Sequence, residues 1–156
     1  MRIRPIEPGD WDAWRRMAAA LLPDENPDEY EPELRALLDR DDAAVFVAER
    51  PDRSVCGYVE AGSRPYADGC ASSPVGYIEA WYVDPDVRRS GYGRALLAAA
   101  ESWARSRGYS EMASDALIDN EVSYESHIRS GYSEVERIVQ FRKPLDAGIL
   151  RDQRGR

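Results

Sequence analysis

The sequence predicts an α/β (α+β) fold in one domain, a mixed central sheet flanked by helices. Three observations lead there. The apolar runs 43–49 and 55–63 are joined by a short polar turn, the pattern of an antiparallel strand pair. A third run, 75–83, passes through a glycine-bearing turn into a long helical pattern over 94–107, as a strand feeding a crossover helix does. The rest of the chain mixes strand and helix patterns, which requires helices covering a sheet rather than a bundle or a sandwich.

The elements follow in order. Residues 2–6 alternate Arg-Ile-Arg-Pro-Ile and read as a first strand. Gly9-Asp10 caps a helix over 11–21, with Trp14, Met17, Ala18 and Leu21 at helical spacing, and Pro23 ends it. Residues 23–32 are rich in Pro, Asp, Glu and Asn and read as a loop. A second helix is expected over 31–38, with Pro32 in its first turn. Strands at 43–49, 55–63 and 75–83 come next, the first two joined by a turn at 50–54. After the 94–107 helix, stopped by Gly108, residues 111–114 form a short strand. Residues 120–130 form a helix closed by Gly131, and 133–135 with 138–143 are expected to close the sheet as a hairpin. The charged tail 146–156 lacks periodicity and is expected to be disordered.

Composition narrows the class. A chain of 156 residues with 43% hydrophobic residues can bury one core. No apolar run approaches the about 20 residues of a membrane span, and the first residues lack a signal-peptide segment, so a cytoplasmic protein without a membrane partner is expected. Two cysteines, Cys56 and Cys70, are too few for a disulfide framework, and a single His argues against a His-rich metal site. A net charge of −8 disfavours nucleic acid and suits a cationic ligand, although solubility alone accounts for such acidity equally well.

The junction before the 94–107 helix has the form Arg88-Arg89-Ser90-Gly91-Tyr92-Gly93. A glycine turn opening a helix presents free N–H groups and the positive end of the helix dipole, and Arg88, Arg89 and Arg94 add cationic charge. Such a turn holds phosphate; read alone, it is equally an ordinary polar turn. Arg-x-x-Gly-x-Gly is neither a dinucleotide fingerprint nor a Walker loop.

Glu79 stands mid-strand in Gly76-Tyr77-Ile78-Glu79-Ala80-Trp81-Tyr82-Val83, where a carboxylate either faces a polar cleft or lies on the solvated face. There it can bind an ammonium or accept a proton. Asp115 follows the 111–114 strand. It is either a turn residue or the second carboxylate of a crevice at the carboxyl ends of two parallel strands. His127, the lone His, reads as a packed helical residue or an acid–base group, with Tyr124 as a competing donor one turn earlier. Tyr66 sits in a polar loop beside Pro65 and Asp68, where an aromatic ring can face a ligand.

The Arg88-x-x-Gly91-x-Gly93 turn at this strand-to-helix position resembles the acetyl-CoA pyrophosphate loop of the GNAT acyl-CoA N-acyltransferases, and the element order matches that fold. Tyr66-x-x-Gly69-Cys70-x-Ser72-Ser73-Pro74, Tyr77-Ile78-Glu79, Val83-x-Pro85 and Glu111-Met112-Ala113-Ser114-Asp115 together resemble the aminoglycoside 6′-N-acetyltransferase branch, over residues 1–145. The resemblance implies acetyl-CoA as co-substrate, no metal, an antibiotic-resistance activity and a homodimer. It implies that the backbone at Trp81, Tyr82 and Val83 pairs with pantetheine, that Arg88 to Arg94 wrap the pyrophosphate, and that Asn120 touches the CoA side. It places Tyr66, Glu79, Asp115 and Glu136 around the aminoglycoside. His127 occupies the place of the Tyr that protonates the departing thiolate. The family often carries Leu-Trp-Pro-x-His after its first helix; here the stretch is Leu21-Leu22-Pro23-Asp24-Glu25, and Glu25 stands as an added ammonium partner. Another amine (a protein N-terminus, a lysine or a polyamine) is the alternative substrate, and a non-catalytic acyl-CoA sensor is the alternative class.

Overall fold

The computed structural model describes residues 1–145, so the expectation for the 146–156 tail lies outside the described residues. Five strands form one sheet in the order β1 (Arg2–Pro5), β2 (Ala43–Glu49), β3 (Val55–Arg64), β4 (Val75–Val83) and β5 (Met112–Ser114). The first four are antiparallel to their neighbours, and β5 runs parallel to β4. Helices α1 (Trp11–Leu21) and α2 (Pro27–Leu37) cover one face; α3 (Tyr92–Ser106) covers the other, with α4 (Glu121–Arg129) beside it. The expected mixed sheet flanked by helices is thus what forms.

Strand alternation builds two cores. Trp14, Met17, Tyr30 and Leu34 pack on Val45, Val47 and Tyr58 beneath α1 and α2. Leu96, Leu97 and Ala100 of α3 pack on Ala48, Val59, Ala61 and Ile78. At the N-terminus, Arg4 donates to Asp10 (2.6 and 3.0 Å) and Glu49 (2.9 Å), tying β1, the turn before α1 and β2 together. Asp10 does not cap α1 with its side chain, as the sequence suggested. Its carboxylate takes Arg4 and the Glu7 N–H instead, and Arg4 above all holds it below the usual carboxylate range.

Two irregularities position the site. Between β3 and β4 the register steps from Glu60↔Ala80 to Ala61↔Ile78, so Glu79 is the extra residue of a β-bulge. The β4–β5 ladder has only three rungs, Gly76↔Met112, Tyr77↔Ala113 and Ile78↔Ser114. Beyond Ile78, β4 runs on to Val83 without β5 beside it, and the sheet opens into a fork. Gly76 keeps the closed end tight: a Cβ there would lie 2.6 Å from Met112 Sδ and 3.0 Å from Ala104 Cβ.

Three sequence expectations are corrected. The second helix begins at Pro27, not near residue 31, because Asn26 caps it by accepting from Asp28 N (3.1 Å) and Pro27 takes the first position; Pro32 lies inside the helix. The short strand is Met112–Ser114, while Glu111 turns its carboxylate to Ala71 N, Ser72 N and Ser72 Oγ (2.9, 2.7 and 2.6 Å). The closing hairpin over 133–143 does not form: these residues join no ladder, since β5, three residues long, offers only a short edge, and Val135, Val139 and Phe141 stay exposed.

Candidate active site

Along β3, Glu60, Gly62 and Arg64 alternate onto the α1–α2 face, and the bulge turns Glu79 toward the same side. Arg64 forks the Glu79 carboxylate, with Nε on Oε1 at 2.9 Å and Nη2 on Oε2 at 2.6 Å. The guanidinium carbon lies 3.5 Å above the centroid of the Tyr77 ring, and the Tyr77 hydroxyl donates to Asp115 Oδ2 at 2.6 Å. Burial first, then Asp115, pushes the Tyr77 hydroxyl's pKa up and keeps it a donor. Glu79 and Asp115, far apart in sequence, are therefore the two ends of one carboxylate–guanidinium–phenol–carboxylate chain at the mouth of the fork. Deeper on this face is Glu60, only 8% exposed, with Trp14 Nε1 donating to its Oε1 at 2.9 Å.

The turn before α3 lies on the other side of the fork. Gly91 holds φ +88° with open space around its α-carbon, and Arg89 holds φ +63°. The first helical bond is Ala95 N to Gly91 O, which leaves the N–H groups of Tyr92, Gly93 and Arg94 without helical acceptors, and no acidic residue stands in the first turn. Arg88 Nε donates to Val83 O (3.0 Å) and Arg94 Nη2 to Arg129 O (3.4 Å). Ser90 closes the turn through its N–H to Val87 O. Tyr92 points into the α3-side core. Gly93 serves a different purpose from Gly91: a Cβ on it would meet Trp81 Cζ2 at 2.9 Å, so its missing side chain admits the indole, not a ligand. Trp81 and Val83 lie on the α3 face, whereas Tyr82 packs toward α1.

His127 sits across the fork. Its ring meets Trp81 of β4 edge-on (centroids 5.3 Å apart) and Tyr132 likewise (5.5 Å). Nδ1 lies 2.8 Å from Ser123 O and Nε2 lies 2.8 Å from Ser114 Oγ. Tyr124 pairs instead with Glu134, which raises its hydroxyl's pKa. Asn120 caps α4, its Oδ1 accepting from Ser123 N at 3.0 Å.

With this geometry in view, residues 11–132 match the model of the Acetyltransferase (GNAT) family. The chain belongs to that family. Two relatives are each an "Aminoglycoside N(6')-acetyltransferase type 1". The one from Klebsiella aerogenes is 42% identical over 92% of this chain and 96% of its own length. The one from Stenotrophomonas maltophilia is 41% identical over 92% and 94%. A solved structure, AAC(6')-Iy in complex with the bisubstrate analog CoA-S-monomethyl-acetylneamine, superposes with a TM-score of 0.86 at 33% identity, covering 92% of this chain and 97% of that one. The resemblance read from the Tyr66–Pro74 loop and the Met112–Asp115 strand end is thereby borne out, and the chain is an acetyltransferase.

Other site residues of this GNAT chain fall in two groups. Tyr66 is 68% exposed and donates to Asp68 Oδ1 (2.7 Å), and Glu136 is close enough to help raise its pKa, behind the larger effect of Asp68. The two segments meet because Gly69 (φ +75°) leaves room for Val135, which would lie 2.6 Å from a Cβ there. Glu25, by contrast, ends a turn closed by its N–H to Leu22 O, and no described contact joins it to Glu79 or Asp115. Sequence reasoning missed Arg64, Tyr77, Glu60 and Ser114. Glu60 and Arg64 were legible as the period-2 face through Glu60, Gly62 and Arg64, and Tyr77 as the residue two before Glu79 on β4; Ser114 carried no signal beyond adjacency to Asp115. Among the described residues no group of three or more His, Cys, Asp and Glu side chains comes together as a metal site, and both cysteines are free thiols. No helix among the described residues is long and apolar enough to cross a membrane.

Proposed function

We propose that this acetyltransferase moves the acetyl group of acetyl-CoA to the 6′-amine of an aminoglycoside, an antibiotic-resistance activity. The observation that carries the reading is the joining of Glu79 and Asp115 at one mouth of the β4–β5 fork, two carboxylates where a polyamine sugar needs counter-charge. The relatives of the same length, named for that reaction, support it. The turn at 88–94 fits a pyrophosphate: free N–H groups, three arginines and open space at Gly91. The unpartnered edge of β4 at Trp81, Tyr82 and Val83 suits the pantetheine amides, and an N–H there polarises the thioester carbonyl. Asn120, whose Oδ1 caps α4, faces the coenzyme with its amide nitrogen.

The reaction needs a neutral amine. Glu79 and Asp115 draw in the ammonium, and Glu79 takes its proton through a water. The amine nitrogen then attacks the thioester carbon: the C–N bond forms, the C–S bond breaks, and CoA leaves as a thiol once the sulfur gains a proton. Holding both reactants along the fork supplies much of the rate. Tyr66 and Glu136 complete the sugar site. The test is thiol release from acetyl-CoA with tobramycin or kanamycin, with spermidine and an N-terminal peptide as competing amines. Tobramycin is expected to be acetylated at the 6′ position. Bound acetyl-CoA without release, or release with spermidine alone, overturns the substrate.

The same reading makes the enzyme a cytoplasmic homodimer, with residues 1–145 as its one domain. Support for the dimer is the 133–143 segment, which carries Val135, Val139 and Phe141 (93% exposed) outside any ladder, next to α4, which buries no residue. Sedimentation equilibrium should give twice the 17.6 kDa chain mass; a monomer at micromolar concentration overturns the dimer.

A further inference from the structure

We propose that Ser114 hands the proton to the departing thiolate, with His127 behind it as proton source and positioning residue; the proposal rests on the acetyl-transfer reading above. Ser114 is the last residue of β5 and pairs with Ile78 at the last rung before the fork opens. A thioester lying along the free edge of β4 meets this hydroxyl first on the β5 side.

The hydrogen bonds fix how the pair works. Ser123 O, 2.8 Å from His127 Nδ1, is a carbonyl and only accepts, and it lies well inside the Ser123 hydroxyl at 3.4 Å, so Nδ1 carries a hydrogen in both charge states. In the neutral ring Nε2 is therefore a lone pair and accepts from Ser114 Oγ–H at 2.8 Å. In the cation Nε2–H donates to Oγ, and the serine hydrogen is freed to point into the fork. The charge of the ring thus sets the direction of the serine O–H. The ring cannot turn to another partner, because Trp81 and Tyr132 meet it edge-on from two directions at 85° and 88°.

The alternatives are otherwise engaged. Both nitrogens of His127 are committed, so the ring does not itself reach the sulfur. Tyr124 is tied to Glu134. Trp81 Nε1, buried without a partner, is too weak an acid to serve. The step balances: the C–S bond breaks with its electron pair going to sulfur, sulfur takes the Ser114 hydroxyl proton, and Oγ takes the proton of His127 Nε2. The ring is left neutral and regains a proton from solvent, matching the one that the amine gave up.

The test has an arm that does not need turnover. His127 is the only histidine, so its ring nitrogens give one set of 15N signals in the whole protein. The neutral ring is expected to be the Nδ1–H tautomer; an Nε2–H tautomer overturns the relay. In the kinetic arm, Ser114→Ala should lower kcat about 100-fold with the KM for the amine unchanged, while Ser114→Thr, which keeps the hydroxyl, should stay within about threefold of wild type. His127→Gln in the Ser114→Ala background should lower kcat no further, because the two act as one unit. Wild-type kcat in Ser114→Ala, or additive losses in the double variant, overturns the relay and leaves the transfer reading intact. A wild-type enzyme that acetylates no amine overturns both.

Discussion

Glu79→Gln is expected to lower kcat for acetyl transfer about 100-fold while leaving the acetyl-CoA dissociation constant unchanged. The carboxylate sits at the bulge of β4, on the face opposite the α3 turn, so its loss does not reach the arginines and free N–H groups at 88–94. It already holds Arg64 through two bonds. An ionised carboxylate offers about four acceptor positions, so a second cation can share it without displacing the guanidinium. The amide keeps the shape but loses both the charge that attracts an ammonium and the basicity that takes its proton. Arg64 then stands unpaired over Tyr77 and repels the substrate, which adds a rise in the amine KM to the fall in kcat. Steady-state thiol release gives kcat and the amine KM, and calorimetric titration gives the acetyl-CoA dissociation constant. Asp115→Asn should act mainly on the amine KM, since Asp115 positions and does not accept the proton. If both variants keep the wild-type kcat/KM for the amine, the amine site lies elsewhere.

The sequence and the structure agree best where one local signal decides. The long apolar runs of β2, β3 and β4 and the helical spacing of Trp14, Met17 and Leu21 placed those elements within a residue or two. They part where a longer-range partner decides. Pro32 looked like a first-turn proline, but Asn26-Pro27 is the stronger start, a capping side chain with a proline directly after it. Residues 133–143 read as strands, yet a strand needs a neighbour, and β5, three residues long, has only a short free edge once β4 holds its other side. In the site, the carboxylates were legible as costly residues in apolar surroundings, and the glycine turn as a phosphate cradle. What joins them was not. The bulge that brings Glu79 onto the Arg64 face is a register step between two strands, and no residue in either strand announces it. Gly93 stands in the turn read as a phosphate cradle, and only the fold reveals that Trp81 fills the room it leaves.

Glu60→Gln is expected to flatten the dependence of stability on pH between about 4.5 and about 7. Glu60 faces Trp14 of α1, with Tyr58 on its own strand, Tyr30 on α2, and Glu79 on β4 close enough to repel its charge. Burial is the main cause that pushes its carboxyl up from 4.5 to about 7; Glu79 adds to the shift, and the Trp14 hydrogen bond opposes it. The unfolded chain therefore releases this proton near 4.5, and the folded chain keeps it until about 7. Between those values the folded state binds more protons than the unfolded one, so stability falls as pH rises through the window and is level on either side. The full difference is on the order of 3 kcal/mol. Glutamine still accepts from Trp14 Nε1 but has no charge to bury, so the variant loses this slope. Urea unfolding at pH 4.5 and pH 8 should show wild type losing ground to Glu60→Gln at the higher pH; parallel changes in both proteins would mean that the carboxyl is hydrated and ionises as it does in the unfolded chain.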